Sequence, residues 1–168
     1  RRKYHPQWQA VNSRKFLFHN QVFDNVLRSS LIGCPIWTAY EVLYIWGAAN
    51  HWWPYLSPAQ HPVWFVALFL LIPLWRATHF YFIHRLIHWR PLMMAVHRVH
   101  HMNPNPGPWT GLAMHPVEHL LYFSVMAIHF LVPAHPLHFF FNSQLTALTP
   151  ATTVEILHKG TRVASHLR

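Results

Sequence analysis

Residues 79–119, HFYFIHRLIHWRPLMMAVHRVHHMNPNPGPWTGLAMHPVEH, determine how this sequence is interpreted, because they hold 8 of its 17 histidines. Five of these form two groups, His84-Arg-Leu-Ile-His88 and His97-Arg-Val-His100-His101. Residues three and four apart lie on the same face of a helix, so each group presents its rings together. Neutral imidazole is the commonest metal ligand among side chains. The spacing therefore predicts that these imidazoles converge on one metal, or on two metals that share a site.

The composition is that of a membrane protein. Hydrophobic residues make up 52% of the 168 residues and charged residues 10%, whereas soluble domains carry about 25% charged residues. Nine Trp and six Tyr suit aromatic belts at membrane interfaces. We therefore expect an all-α integral membrane protein with several passes.

The positions of the basic residues indicate which segments face the cytoplasm. The net charge is +9, yet no Lys or Arg occurs in residues 29–75 or 99–157. Basic residues that flank charge-poor blocks indicate cytoplasmic loops. A nucleic-acid groove would instead interleave basic residues with aromatic ones, so we expect no nucleic-acid partner. The sequence divides into a basic cytoplasmic or interfacial segment, 1–30, and a membrane domain, 31–168.

Four apolar stretches predict two transmembrane helical hairpins, since about 20 apolar residues cross the hydrocarbon core of a bilayer. The first hairpin combines residues 31–53 with 63–83, and Pro73 is expected to kink its second helix. The second hairpin, shallow or re-entrant, combines residues 117–133 with 135–150. This topology puts a cytoplasmic His-rich metal-binding region at the mouth of the first hairpin, where a soluble electron donor could reach it.

Four polar residues inside or between these stretches receive structural interpretations. Glu41 falls within the first stretch, where a carboxylate is costly unless it is paired. We expect it to be a buried hydrogen-bonding residue between helices. His129, His135 and His138 lie in or near the far turn of the second hairpin. We interpret them as interfacial aromatic residues and not as ligands.

The segment His115-Pro-Val-Glu118-His119 adds further candidates. Its proline suits the first turn of a new helix. We expect Glu118 to pair with Arg85, with Arg98 or with a ligand imidazole that it would orient. His115 and His119 are again four residues apart and close to the two groups, so both are candidate metal ligands.

The side chains available as metal ligands limit which kinds of metal site this sequence can form. A single Cys34 excludes an internal disulfide and any cysteine-based zinc or iron–sulfur site within one chain. Histidine ligands suit a non-haem iron pair or zinc. Two irons can activate dioxygen to attack an unactivated C–H bond, and a membrane location suits a lipid substrate that arrives laterally. The loop at 103–115 would form part of a lid or substrate wall.

HRLIH, HRVHH and NPGPWTGLAMHPVEHLLYFS together resemble the fatty acid hydroxylase superfamily over residues 60–150. The resemblance is strongest with its sterol desaturase branch, which includes lathosterol-oxidase-like proteins. It implies a membrane-bound, oxygen-dependent and iron-dependent hydroxylase or desaturase of a sterol or fatty acyl lipid. His84 and His88 match its first histidine box, and His97, His100 and His101 match its second. Electrons would come from a cytochrome b5-like or ferredoxin-type partner.

The end of the sequence departs from the family pattern. The family continues to a His-Gly element and a third histidine box, HxxHH. Here His158-Lys-Gly160 resembles the His-Gly element, which makes His158 an eighth candidate ligand, and no third box follows. We therefore expect the C-terminus to be incomplete.

Two other function classes remain open. One is a catalytically inactive, sterol-desaturase-like subunit of a larger membrane complex, which the missing third box favours. The other is a haem- or pigment-binding membrane protein, since single imidazoles serve as axial ligands. That class needs histidines on separate embedded helices, whereas these are grouped in one short stretch.

Overall fold

The computed structural model describes residues 13–103 and 109–147, and these residues are helical with no β-strand. The expectation of an all-α chain is confirmed for them. One isolated bridge pairs Tyr55 with Ala134. The predictions on His158, on the rest of the tail and on residues 1–12 lie outside the described residues.

A helical run without interruption leads into the first apolar stretch. It comprises α1 (Gln21–Arg28), a π-helical turn (Ser29–Gly33) and α2 (Cys34–Ala49). The side-chain oxygen of Asn20 caps the run by accepting hydrogen bonds from the backbone N–H groups of Val22 and Phe23, at 3.0 and 3.1 Å. The π-helical turn precedes Pro35, whose missing N–H and bulky ring disrupt an ordinary α-helical turn. Compared with the predicted stretch 31–53, the helix begins earlier and ends earlier.

The next helix, α3 (Pro62–Ile87), is the one helix among the described residues that is long and apolar enough to cross a membrane. Its most apolar window has a mean hydropathy of 1.6, and 11% of that window is buried inside the protein. Side chains such as Leu70 and Leu74 therefore face outward. Pro73 lies within the helix and does not end it. The helix predicted for residues 63–83 is confirmed, and it extends through His84.

Short helical pieces follow α3. They are α4 (Arg90–Leu92), a π-helical turn (Met93–His97) and α5 (Arg98–His101). The helix breaks at His88 and Trp89, just before Pro91, as the proline predicts. The break turns the chain so that the second histidine group returns toward the first.

The last helical part begins at α6 (Pro116–Phe123), continues as a 3₁₀ helix (Ser124–Phe130) and ends with α7 (residues 136–147). Pro116 occupies the first turn of α6, as predicted. The stretch predicted at 117–133 is therefore not one regular α-helix. Its second half tightens into the 3₁₀ form, which usually occurs in short pieces because its hydrogen-bond geometry is poorer.

Aromatic side chains fill the core between α2, α6 and α7. The rings of Tyr44 and Phe139 stack with centroids 3.9 Å apart, and Trp37 stacks on Phe123 at 6.0 Å. Ser143 links two polar groups there, since it accepts a hydrogen bond from the Trp37 indole and donates one to Glu41 at 2.6 Å. Glu41 is thus the expected hydrogen-bonding residue between helices, although it is only partly buried.

The two turns at residues 50–61 and 131–135 meet at one end of the molecule. The backbone N–H of Leu56 donates to the carbonyl of Ala134 at 3.3 Å. His129 and His138, near this end, are buried inside the protein. The interpretation of these two as interfacial aromatic residues was therefore wrong, because each ring packs and hydrogen-bonds within the chain.

Helix α1 turns its polar face inward. Its buried residues are Gln21, Asp24 and Asn25, and Ser29 continues the same face. Asp24 forms a 2.9 Å salt bridge with Arg28. Val22 and Phe23 on the other face are exposed, and so are Leu17 and Phe18 in the 3₁₀ turn (Leu17–His19) just before α1.

Candidate metal centre

The break after α3 brings the two histidine groups together. The C-terminal end of α3 carries His84 and His88, the π-helical turn ends at His97, and α5 carries His100 and His101. We call these five residues the histidine cluster. One ligand atom from each of His84, His88 and His97 lies within 4.8 Å of the other two. This is the convergence that the spacing predicted.

Two pairs of ring nitrogens within the cluster point at each other. The Nε2 atoms of His84 and His88 are 3.0 Å apart, and those of His97 and His101 are also 3.0 Å apart. The two pairs adjoin, because the ring centroids of His88 and His97 are separated by 4.7 Å. Three imidazoles, those of His84, His88 and His97, thus bring ligand atoms into one small region, and His101 adjoins them through His97.

The π-helical turn at Met93–His97 accounts for how the second group reaches the first. One extra residue in the turn shifts the register of α5 relative to an ordinary helix. His97 becomes buried in this way, with a ring that contacts both His84 and His88. Single π-helical turns occur frequently at functional sites.

Glu118 fixes the orientation of His97. Its Oε1 atom lies 2.7 Å from His97 Nδ1, and both side chains are buried. A carboxylate at Nδ1 accepts the proton of that nitrogen, which leaves the lone pair of Nε2 directed at the cluster. Of the three partners expected for Glu118, the ligand imidazole is the one observed.

The cluster favours neutral imidazole rings. Burial, assisted by the rings of His97 and His101, lowers the pKa of His100 to about 4. Burial is also the first cause that lowers the pKa of His88 and of His101, and His97 adds to both shifts. Neutral rings at neutral pH are the form that binds metal.

Three buried nitrogen atoms at the centre have no hydrogen-bond partner: Nδ1 of His100 and both ring nitrogens of His119. The Leu112 backbone lies close to the His119 ring but outside hydrogen-bond geometry. Buried polar atoms are normally satisfied, so unsatisfied ones call for a ligand or an ion. Converging neutral imidazoles together with these nitrogens fit a transition-metal ion such as iron or zinc.

The remaining predicted ligands differ in their surroundings. His119 is fully buried on α6, next to Glu118. His115 is half-buried and caps α6, because its Nδ1 accepts the backbone N–H of Val117 at 3.2 Å. Its cap role was not predicted. His158 lies outside the described residues.

The N-terminal segment supports the centre through contacts that sequence reasoning missed. Lys15 donates to the backbone carbonyl of Met102, just after α5, at 2.6 Å. Asn25 donates to Thr110 at 3.2 Å, and Ser29 donates to the Trp109 carbonyl at 3.4 Å. The helical spacing of Gln21, Asp24, Asn25 and Ser29 signals a polar face, but it does not identify the partner of that face.

Comparison with known protein families identifies the family of this chain. The sequence model described as fatty acid hydroxylase matches residues 65–167, which is more than half of the chain and includes every histidine named above as a candidate ligand. No solved structure matches the chain. With its histidine cluster inside the matched residues, the chain belongs to the fatty acid hydroxylase family.

Proposed function

We propose that this protein is a membrane-bound, oxygen-dependent, non-haem di-iron hydroxylase or desaturase that acts on a lipid. The observation that carries the proposal is the histidine cluster, in which ligand atoms of His84, His88 and His97 converge while Glu118 holds Nδ1 of His97. Membership of the family supports the same reaction class. Within it, the resemblance to the sterol desaturase branch favours a sterol over a fatty acyl substrate.

Iron is the proposed metal, with two ions per chain, and zinc is the alternative. The histidine cluster would supply most ligands, and His115, His119 and His158 would complete the set. Bound iron would supply the activation of dioxygen for attack on an unactivated C–H bond.

The protein's own part in the reaction is to orient the ligands and to limit access of water. Glu118 holds the proton of His97 at Nδ1, so Nε2 stays available as a donor. His97 and His119 are almost completely shielded from solvent, whereas His88 and His101 are exposed, so the protein excludes water from one side of the cluster only. Because the exposed apolar surface of α3 extends past His84 to Leu86, a lipid lying along this helix would reach the cluster without leaving the bilayer.

We further propose a multi-pass topology with the histidine cluster on the cytoplasmic side. The continuous helix over residues 29–49 is long enough to cross the bilayer beside α3, since a span needs about 20 residues. Arg85, Arg90 and Arg98 are exposed around the cluster, in agreement with the positive-inside rule. At the other end, Trp46, Trp52 and Tyr55 are exposed and suit an aromatic belt.

The proposed electron donor is a soluble cytochrome b5-like or ferredoxin-type protein. The same three exposed arginines would attract an acidic donor and increase its rate of association. Residues 13–28 would lie along the cytoplasmic membrane surface. The exposed apolar face at Leu17, Phe18, Val22 and Phe23 supports this position.

Metal content of the detergent-purified protein tests the proposal. We expect about two iron ions per chain and a large loss of iron in His97→Ala and His100→Ala. His61→Ala is the matched control, because His61 is exposed at the start of α3, far along the helix from the cluster. Folded protein that takes up neither iron nor zinc would refute the enzyme and favour the inactive subunit of a membrane complex. Strong visible absorption would instead indicate a haem or pigment.

A further inference from the structure

Gly33 lies in the π-helical turn that joins α1 to α2, and its backbone does not require glycine. Its φ and ψ angles are −63° and −52°, which any residue adopts in a helix. Glycine inside a helix lowers helix stability relative to alanine. The reason for glycine at this position must therefore lie in the space around it.

That space is taken by the ring of His119. A Cβ atom added at Gly33 would lie 2.8 Å from Cε1 and 3.2 Å from Nε2 of His119. The ring could not move aside easily, because His119 is fully buried and its other face stacks on Phe123, with centroids 6.0 Å apart. The imidazole is thus held between the backbone of Gly33 and the ring of Phe123.

His119 is also the buried imidazole whose two nitrogens have no hydrogen-bond partner. In most proteins a buried histidine is held by hydrogen bonds to its ring nitrogens. Here packing holds the ring, and both nitrogens remain available to a ligand.

We infer that Gly33 is a positioning residue for the metal centre: its missing side chain lets the first helical run hold His119 as a metal ligand. This inference rests on the proposed function, since it needs a metal for His119 to bind. Gly33 precedes residues 65–167, which the family model matches. The centre would therefore depend on a helix outside the matched residues.

The test uses Gly33→Ala in the full chain, loaded with Co²⁺, whose visible absorption reports the number and type of its ligands. We expect Co²⁺ to bind about tenfold more weakly or worse, with an altered spectrum, as for other residues that orient ligands. Gly47→Ala is the matched control, because Gly47 lies in the same helical run and a Cβ there would clash with the Trp53 ring. It should lower thermal stability and leave the Co²⁺ spectrum unchanged.

The double variant Gly33→Ala/His119→Ala tests whether Gly33 acts through His119. In the His119→Ala background there is no ring to displace, so adding Gly33→Ala should leave the Co²⁺ affinity unchanged and should not lower the unfolding temperature. This comparison also works if Gly33→Ala alone fails to fold. A double variant that unfolds while His119→Ala folds would overturn the inference.

The remaining outcomes separate this inference from the proposed function. Wild-type protein that binds neither Co²⁺ nor Fe²⁺ would refute both. Wild-type binding with an unchanged spectrum and affinity in Gly33→Ala would overturn the role of Gly33 alone. Equal losses from Gly33→Ala with and without His119 would overturn it as well.

Discussion

Histidines are buried in two regions of this protein, and they are satisfied in different ways. At the end of the molecule where the turns meet, His138 accepts the backbone N–H of His135 at 3.1 Å and donates to the Phe65 carbonyl at 2.8 Å. Both of its nitrogens are used by the protein. In the histidine cluster, ring nitrogens face one another, as in the 3.0 Å approach of His97 to His101.

The comparison shows that burial of a histidine does not by itself indicate a metal site. Sequence spacing separates the two regions only in part, since His135 and His138 are also three residues apart. The distinguishing feature is where each ring nitrogen finds its partner. Substitutions in the histidine cluster should therefore reduce metal binding, whereas substitutions at His138 should reduce stability.

The largest effect is expected from acid on the metal-free protein. Burial lowers the pKa of His100 to about 4, so the folded state resists protonation there, whereas the unfolded state takes up protons near the ordinary pKa of about 6.5. The contribution of His100 to the free energy of unfolding is therefore largest above pH 6.5 and is lost as the pH drops toward 4. His100 alone would contribute about 3 kcal/mol to that loss.

Unfolding in mixed micelles as a function of pH measures this effect. His100→Gln provides the control, because it cannot be protonated and should flatten the profile between pH 6.5 and 4. An equally steep profile in the variant would show that other groups cause the loss.

Glu118→Gln is expected to have the next largest effect. The amide keeps the shape of the side chain but loses the charge that holds the Nδ1 proton of His97. Metal affinity should fall by about 10- to 100-fold, as it does when other partners of metal-bound histidines are changed. A chelator competition titration measures the loss.

Glu41→Gln is the matched control for Glu118→Gln. Its carboxylate also accepts a hydrogen bond between helices, from Ser143, but it lies in the aromatic core. Metal affinity should remain at the wild-type value. A similar loss in both variants would mean that Glu118 acts on the fold as a whole.

His138→Ala should give the opposite result to Glu118→Gln. The change removes the bond to the Phe65 carbonyl and leaves the His135 N–H without its acceptor. Unfolding should become easier by about 1–3 kcal/mol, while metal content stays unchanged. Loss of metal from this variant would remove the contrast between the two regions.

Structural features that depend on residues close together in sequence could be predicted from the sequence. Spacing and proline positions are local, so they predicted α3, the break before Pro91, the start of α6 at Pro116 and the grouping of His84 with His88. The family resemblance was likewise carried by short motifs, and the family is confirmed.

Contacts between distant residues could not be predicted in this way. Lys15 and Met102 are 87 positions apart, and nothing near Lys15 indicates its acceptor. The packing of Gly33 on His119 and the hydrogen bond from His138 to the Phe65 carbonyl are also contacts between distant residues. The π-helical turn at Met93–His97 was also missed, because the helical pattern continues through it and only the register of α5 changes.

The smallest effect is expected at helix α1, whose apolar face is exposed and whose polar face is buried. Phe18 precedes α1, is 77% exposed and packs against Phe23 of the apolar face, with ring centroids 5.0 Å apart, whereas the polar face packs near Trp109. If the apolar face rests in the membrane interface, a thiol introduced by Phe18→Cys, in a Cys34→Ser background, should be shielded from a charged maleimide in lipid vesicles. Arg14→Cys is the control, because Arg14 is an exposed basic residue nearby. We expect labelling of Phe18→Cys to be about fivefold slower. Equal rates would show that α1 stands clear of the bilayer and that its apolar face serves another contact.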